Sequence, residues 1–146
     1  MSEMLANSYF ISRNFAKALP LFEEELQAGK ASDKIKKKLI ICYMAVGRVE
    51  DAFRLFYELV SKDPDIIINT DPYWDDCPCP EMVHDFESNK KPDAGSARIP
   101  LILGMLYLFC DVDKSVRYFE QALESDPSNL KISSLLQRLQ KRAQSV

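Results

Sequence analysis

From Leu39 to Pro64 the chain reads LIICYMAVGRVEDAFRLFYELVSKDP, and the same pattern of residues occurs twice more along the sequence. Leu39, Tyr43, Ala52 and Phe56 match Leu5, Tyr9, Ala18 and Phe22 in an earlier copy, all at one constant spacing. In a later copy Ser115, Phe119, Ala122 and Pro127 match Ala52, Phe56, Leu59 and Pro64, again at one constant spacing. The chain therefore contains an internal repeat, and a period of about 34 residues is typical of stacked helix pairs.

Each copy predicts two helices that pack closely. A small residue is followed four positions later by an aromatic residue, as in Ala52 and Phe56, and this spacing places both on one face of a helix. The small residue lets a neighbouring helix approach, and the ring fills the space to the next repeat. Asn14 is suited to cap the helix that follows it, and Gly29 to end that helix. Pro20 lies inside the same helix and is expected to bend it.

The copies resemble the tetratricopeptide repeat, whose pattern is Leu-Gly, a tyrosine, an alanine four residues before a phenylalanine, and a closing proline. In the copy that matches best, these positions hold Leu103, Gly104, Tyr107, Ser115, Phe119 and Pro127, and the turn between its helices is one residue short. The resemblance implies an all-α fold, a solenoid of antiparallel helix pairs that forms a single domain over residues 1–146. The expected parts are repeats at about 1–31, 32–65 and 97–128, an insertion at about 66–96 and a C-terminal capping helix at about 128–143.

Composition argues against several classes of protein. The 146 residues are 47% hydrophobic, which is ordinary for a globular domain, and a formal charge of -3 gives no overall attraction to nucleic acid or to an anionic membrane. No targeting segment, membrane-spanning stretch or secreted disulfide framework is evident. No phosphate loop, nucleophile with its base, or acid–base pair of carboxylates is evident either. We therefore predict a cytoplasmic protein that is not an enzyme and has no cofactor.

The expected insertion contains the residues that suit a metal ion, Cys77, Cys79 and His84. Thiolates and imidazole are zinc ligands, so a metal- or redox-responsive module is an alternative function. The Cys-x-Cys spacing and the single histidine argue against a closed zinc site, and a proline-stiffened loop with two free thiols explains the same residues. The segment also contains Trp74 among aspartates, and these side chains are candidates to fold back onto the protein's own binding groove and cover it.

In tetratricopeptide solenoids the first helices of successive repeats line a concave groove. Carried over to this sequence, the groove positions are Asn7, Phe10, Ile11, Lys34, Lys37, Lys38, Ile41, Met44, Arg98, Leu101, Met105, Leu108 and Phe109. The resemblance therefore implies a protein-interaction scaffold or adaptor whose apolar, basic-lipped groove binds a peptide or an amphipathic helix with acidic flanks. Two alternatives stay open: the apolar residues belong to the core and the lysine run is a solvated face, or the surface mates with a second copy in a homo-oligomer.

Overall fold

The computed structural model describes residues 2–70, 78–88 and 98–144. Over these three ranges the chain forms nine α-helices and no β-strand, which confirms the all-α fold class. The helices are α1 (Ser2–Ile11), α2 (Phe15–Gln27), α3 (Asp33–Ala45), α4 (Val49–Lys62), α5 (Asp65–Ile68), α6 (Cys79–Glu87), α7 (Ile99–Tyr107), α8 (Val112–Ser125) and α9 (Leu130–Gln144). The chain divides into two compact units, Met1–Phe56 and Tyr57–Val146.

The ends of α2 follow the residues that the sequence singles out. The Asn14 side chain accepts a hydrogen bond from the Lys17 amide at 3.4 Å, which is the predicted N-cap. Gly29 lies just beyond the other end with a φ of 72°, a left-handed conformation that glycine adopts without steric cost. The helix is continuous across Pro20, so the missing amide does not interrupt it.

In the first unit α2 packs against both α1 and α3. The Phe10 ring contacts two other rings edge to face, with centroids 5.5 Å apart between Phe10 and Phe15 and 6.2 Å apart between Phe10 and Phe22. Phe10, Phe22 and the small residue Ala18 are fully buried. The predicted pairing of a small residue with an aromatic residue four positions later is therefore part of the core of this unit.

Two turns of the first unit, at matching positions of consecutive repeats, have the same hydrogen bonds. The Asn14 amide donates to the Tyr9 carbonyl at 2.8 Å, and the Arg48 amide donates to the Tyr43 carbonyl at 2.8 Å. The residue before each donor has a positive φ, which is 67° at Arg13 and 86° at Gly47. One left-handed residue after a helix satisfies its last carbonyls in this way. The repeat in the sequence is therefore also a repeat of backbone geometry.

In the second unit α7 packs against α6 and α8, and α8 packs against α9. The Ser115 hydroxyl donates to the Gly104 carbonyl at 2.6 Å inside the core. A β-carbon added to Gly104 would lie 2.9 Å from Cδ1 of Phe119. The Phe119 ring of α8 therefore lies directly against α7. The Asp111 amide donates to the Tyr107 carbonyl at 2.6 Å across four residues, where the equivalent bonds of the first unit span five. This difference confirms the predicted shortening of the turn.

The last helix, α9, is held by side-chain contacts to α4 and α5, which lie far from it in the sequence. One apolar stripe of this helix is buried, and its residues are Ile132, Leu135, Leu136 and Leu139. The Arg138 side chain donates to the carbonyls of Val60 at 2.7 Å and Lys62 at 3.5 Å, which lie at the C-terminal end of α4. Arg142 pairs with Asp65 at 2.6 Å. Stacked repeats contact only their neighbours, whereas these contacts join residues 76 to 78 positions apart.

Candidate functional site

Three residues predicted to line the groove come together on α1 and α3 of the first unit. The Lys38 ammonium donates to the amide oxygen of Asn7 at 2.8 Å and lies 5.5 Å from the centroid of the Phe10 ring. Lys38 is 8% exposed, so this is a charged group close to the core. A buried ammonium is tolerated only with such compensation, from an oxygen acceptor and from the face of an aromatic ring.

The positive charge of Lys38 also acts on the thiol one turn further along α3. Burial raises the pKa of Cys42 to about 12, and the lysine lowers it by a smaller amount. Cys42 is a buried free cysteine, and a thiol with so high a pKa is almost entirely protonated near neutral pH. Cys42 is therefore a packing residue.

Most of the apolar residues predicted for the groove are buried. Each is at most 2% exposed, and they are Phe10, Ile41, Met44, Met105, Leu108 and Phe109. A partner does not reach these side chains in the described structure. Their burial corrects the expectation that they line an accessible surface and agrees with the alternative in which such residues form the core.

The accessible members of the predicted set in the first unit are Ile11, Asn7, Lys34 and Lys37. Ile11 is 55% exposed, Lys34 is exposed, and Asn7 and Lys37 are half-buried. Met4 was not in the predicted set, yet it is 78% exposed. Met4, Asn7 and Ile11 are spaced by three and four residues, so they share one face of α1. That i, i+3, i+7 spacing is the sequence signal that would have found Met4. We call Met4, Asn7 and Ile11 together the α1 strip.

The remaining predicted residues, Arg98 and Leu101, belong to the second unit. Arg98 immediately precedes α7 and is exposed, and Leu101 in the first turn of that helix is half-buried.

A contact that the sequence analysis missed occurs once in each unit. The Tyr43 hydroxyl donates to Glu23 at 2.8 Å, and the Tyr107 hydroxyl donates to Glu87 at 2.9 Å. In both cases the glutamate lies 20 residues before the tyrosine, on the helix that precedes it. Burial first, and then the hydrogen bond to the glutamate, raise the pKa of each tyrosine.

The second unit adds one more tyrosine to this contact. Tyr118 stacks on Tyr107 with centroids 5.5 Å apart and donates to the same oxygen of Glu87 at 2.8 Å. Burial and that hydrogen bond raise the pKa of Tyr118 to about 12. One carboxylate therefore connects α6 with both α7 and α8.

Through this contact, part of the expected insertion has a counterpart in the first unit. Phe86 and Glu87 of α6 match Phe22 and Glu23 of α2, and both phenylalanines are buried. The same shift along the sequence relates Leu103 to Leu39. In its own unit, α6 thus accepts a hydrogen bond from a tyrosine of the following helix, as α2 does in the first unit. This constant shift was the sequence signal. It is one position larger than the shift from Phe56 to Phe119, because the turn between α7 and α8 is one residue shorter than the turn between α3 and α4.

The candidate metal ligands lie mostly outside the described residues. This is true of Cys77 and of the Cys79 side chain, while His84 is exposed on α6. Among the described residues no group of three or more histidine, cysteine, aspartate or glutamate side chains is placed to hold a metal ion. The metal site stays a prediction, and the idea that Trp74 covers the groove also falls outside the described part of the chain.

None of the helices in the described ranges has the length and apolar character needed to cross a bilayer. Comparisons with models of protein families, with curated protein sequences and with solved structures find no match for this chain.

Proposed function

We propose that this chain is a tetratricopeptide-type helical-repeat module that binds a partner protein through the α1 strip and the lysines of α3. The recurrence of both the sequence pattern and the turn geometry supports the repeat assignment. A helical repeat presents extended surfaces for binding other proteins. The observation that carries the proposal is the hydrogen bond from Lys38 to Asn7, because it joins the α1 strip, in which Met4 and Ile11 are exposed, to the lysines of α3.

The chemistry of this face suits an amphipathic helix with acidic residues beside its apolar side. Met4 and Ile11 offer apolar contact, and a helix can bury such residues on an i, i+3, i+4, i+7 pattern of its own. Besides the buried Lys38, α3 has three lysines at positions 34, 36 and 37, against one aspartate at position 33. Their charge attracts carboxylates and orients the partner more than it adds affinity.

A binding titration tests the proposal with variants that leave the core intact. The probe is a fluorescently labelled synthetic helix with leucines on one side and glutamates beside them, followed by fluorescence anisotropy. Ile11→Glu combined with Met4→Glu should weaken binding by about tenfold or more, since it removes apolar contact and adds repulsion. Leu5→Glu is the control for each of the single substitutions Met4→Glu and Ile11→Glu, because it adds the same single charge and Leu5 is 49% exposed on the same helix but lies off the strip.

Charge reversal on α3 gives the second arm. Lys34→Glu with Lys37→Glu should weaken binding of the acidic helix and reduce its dependence on salt concentration. Equal affinities for wild type, the strip variant and the Leu5→Glu control, all with native circular dichroism, would contradict the proposal. Met44→Glu would not serve, because that side chain is 1% exposed and its replacement would test folding.

A further inference from the structure

An open cleft lies between α8 and α9 within the second unit. Its volume is about 410 Å³, and its lining includes Glu120, Leu123, Glu124, Leu136, Gln137 and Gln140. The two helices pack against each other along this cleft. It is distant in sequence from the α1 strip and shares no residue with it.

The cleft lining contains two leucines, and a third leucine is exposed on the same helix as one of them. Leu136 is buried and Leu123 is half-buried. Leu130 is 83% exposed at the start of α9, and it lies seven residues before Gln137, so both are on one face of that helix. An exposed leucine on the face of α9 that also holds a cleft residue offers apolar contact to a partner over about two helical turns.

The two walls of the cleft differ in charge. Glu120 and Glu124 are spaced by four residues along α8, and both are exposed, whereas α9 contributes the neutral amides of Gln137 and Gln140. In the described part of the chain neither glutamate forms an ion pair. The arginines of α9 do not offset this charge, because Arg138 and Arg142 are directed to the ends of α4 and α5.

The packing elsewhere in this unit indicates what fits such a cleft. α7 lies against two other helices and so does α8, and grooves between adjacent helices accept the side-chain ridges of a further helix. We infer that the α8–α9 cleft docks an amphipathic helix of a partner protein that carries apolar residues towards Leu123 and Leu130 and lysine or arginine towards Glu120 and Glu124. This partner has the opposite charge to the one expected at the α1 strip. The inference is therefore independent of the proposed function.

The experiment uses the full chain and a defined probe. The probe is a labelled synthetic helix with leucines on one side and lysines beside them, titrated by fluorescence anisotropy at physiological salt, about 0.15 M. Saturable binding is expected, and a peptide of the same composition in scrambled order should bind more weakly. Glu120→Lys with Glu124→Lys should raise the Kd by about tenfold, which corresponds to about 1.4 kcal/mol.

Two further variants separate the cleft from general attraction to an acidic protein. Leu130→Ser should raise the Kd severalfold without affecting the fold, because the side chain is 83% exposed. Glu24→Lys with Asp113→Lys changes the net charge by the same amount at exposed sites outside the cleft lining, and should bind like wild type. The inference is overturned if wild type shows no saturable binding, if the cleft variants bind as wild type does, or if this control loses as much affinity as they do.

Discussion

Replacing Gly104 with alanine tests the close packing of α7 against α8. Two effects oppose each other. Alanine in place of glycine inside a helix stabilises it by about 1 kcal/mol. The new methyl group, however, would lie 2.9 Å from Cδ1 and 3.0 Å from Cγ of Phe119, and such overpacking costs about 1–3 kcal/mol.

The geometry indicates which effect is larger. Cγ is the fixed base of the Phe119 ring, so a rotation of the ring does not move it away, and the residue is fully buried. We therefore expect a packing cost in the upper half of that range, about 2–3 kcal/mol. Gly104→Ala should then lower the free energy of unfolding by about 1–2 kcal/mol, after the gain in helix propensity.

Urea unfolding followed by circular dichroism measures this change. Phe119→Leu in the Gly104→Ala background should give space back, so the two substitutions together should cost less than the sum of the single ones. A Gly104→Ala variant that is as stable as wild type or more stable would refute the reasoning. It would mean that helix propensity outweighs the contact with the ring.

Three further predictions concern other contacts. The pKa of Tyr118 is raised to about 12 in the folded protein, so its contribution to the free energy of unfolding should be complete below pH 10 and fall as the pH rises towards 12. Glu87→Gln should lower that pKa and make the loss of stability less steep, as measured by tyrosinate absorbance and by urea unfolding. Arg138→Ala should cost about 1 kcal/mol, because two carbonyls of α4 lose a charged donor, while Lys141→Ala should change stability by less than about 0.5 kcal/mol. Cys42, in a variant whose other cysteines are serine, should react with a thiol reagent only as fast as the protein opens, and rapid labelling of the native state would count against its burial.

The sequence predicted the helices and turns well because those features depend on nearby residues. Asn14 caps α2, a left-handed Gly29 follows that helix, and the turn before Asp111 is one residue shorter. Each depends on backbone geometry within about five residues, so a repeat of the residues gives a repeat of the structure.

The candidate site was harder to predict, because local periodicity does not say which element covers an apolar face. Ile41 and Met44 have the spacing of groove residues and the same spacing as core residues, and the structure buries them. The contact between Glu23 and Tyr43 depends on how two helices pack, although its recurrence at Glu87 was visible as a constant shift along the sequence. Met4 was missed because it is not one of the groove positions of the tetratricopeptide family, and its exposure depends on the packing of α1.

The hydrogen bonds from Arg138 to the end of α4 have a consequence for how the chain acquires its structure. In a simple stack of repeats, each repeat is stabilised as soon as its neighbour has formed, so folding can spread along the stack. Here the carbonyls of Val60 and Lys62 accept hydrogen bonds from Arg138, which lies 78 and 76 residues later in the chain, so these bonds form only after α9 has packed. Closing so long a loop slows folding, so we expect the second unit to reach its final stability only when its last helix has docked.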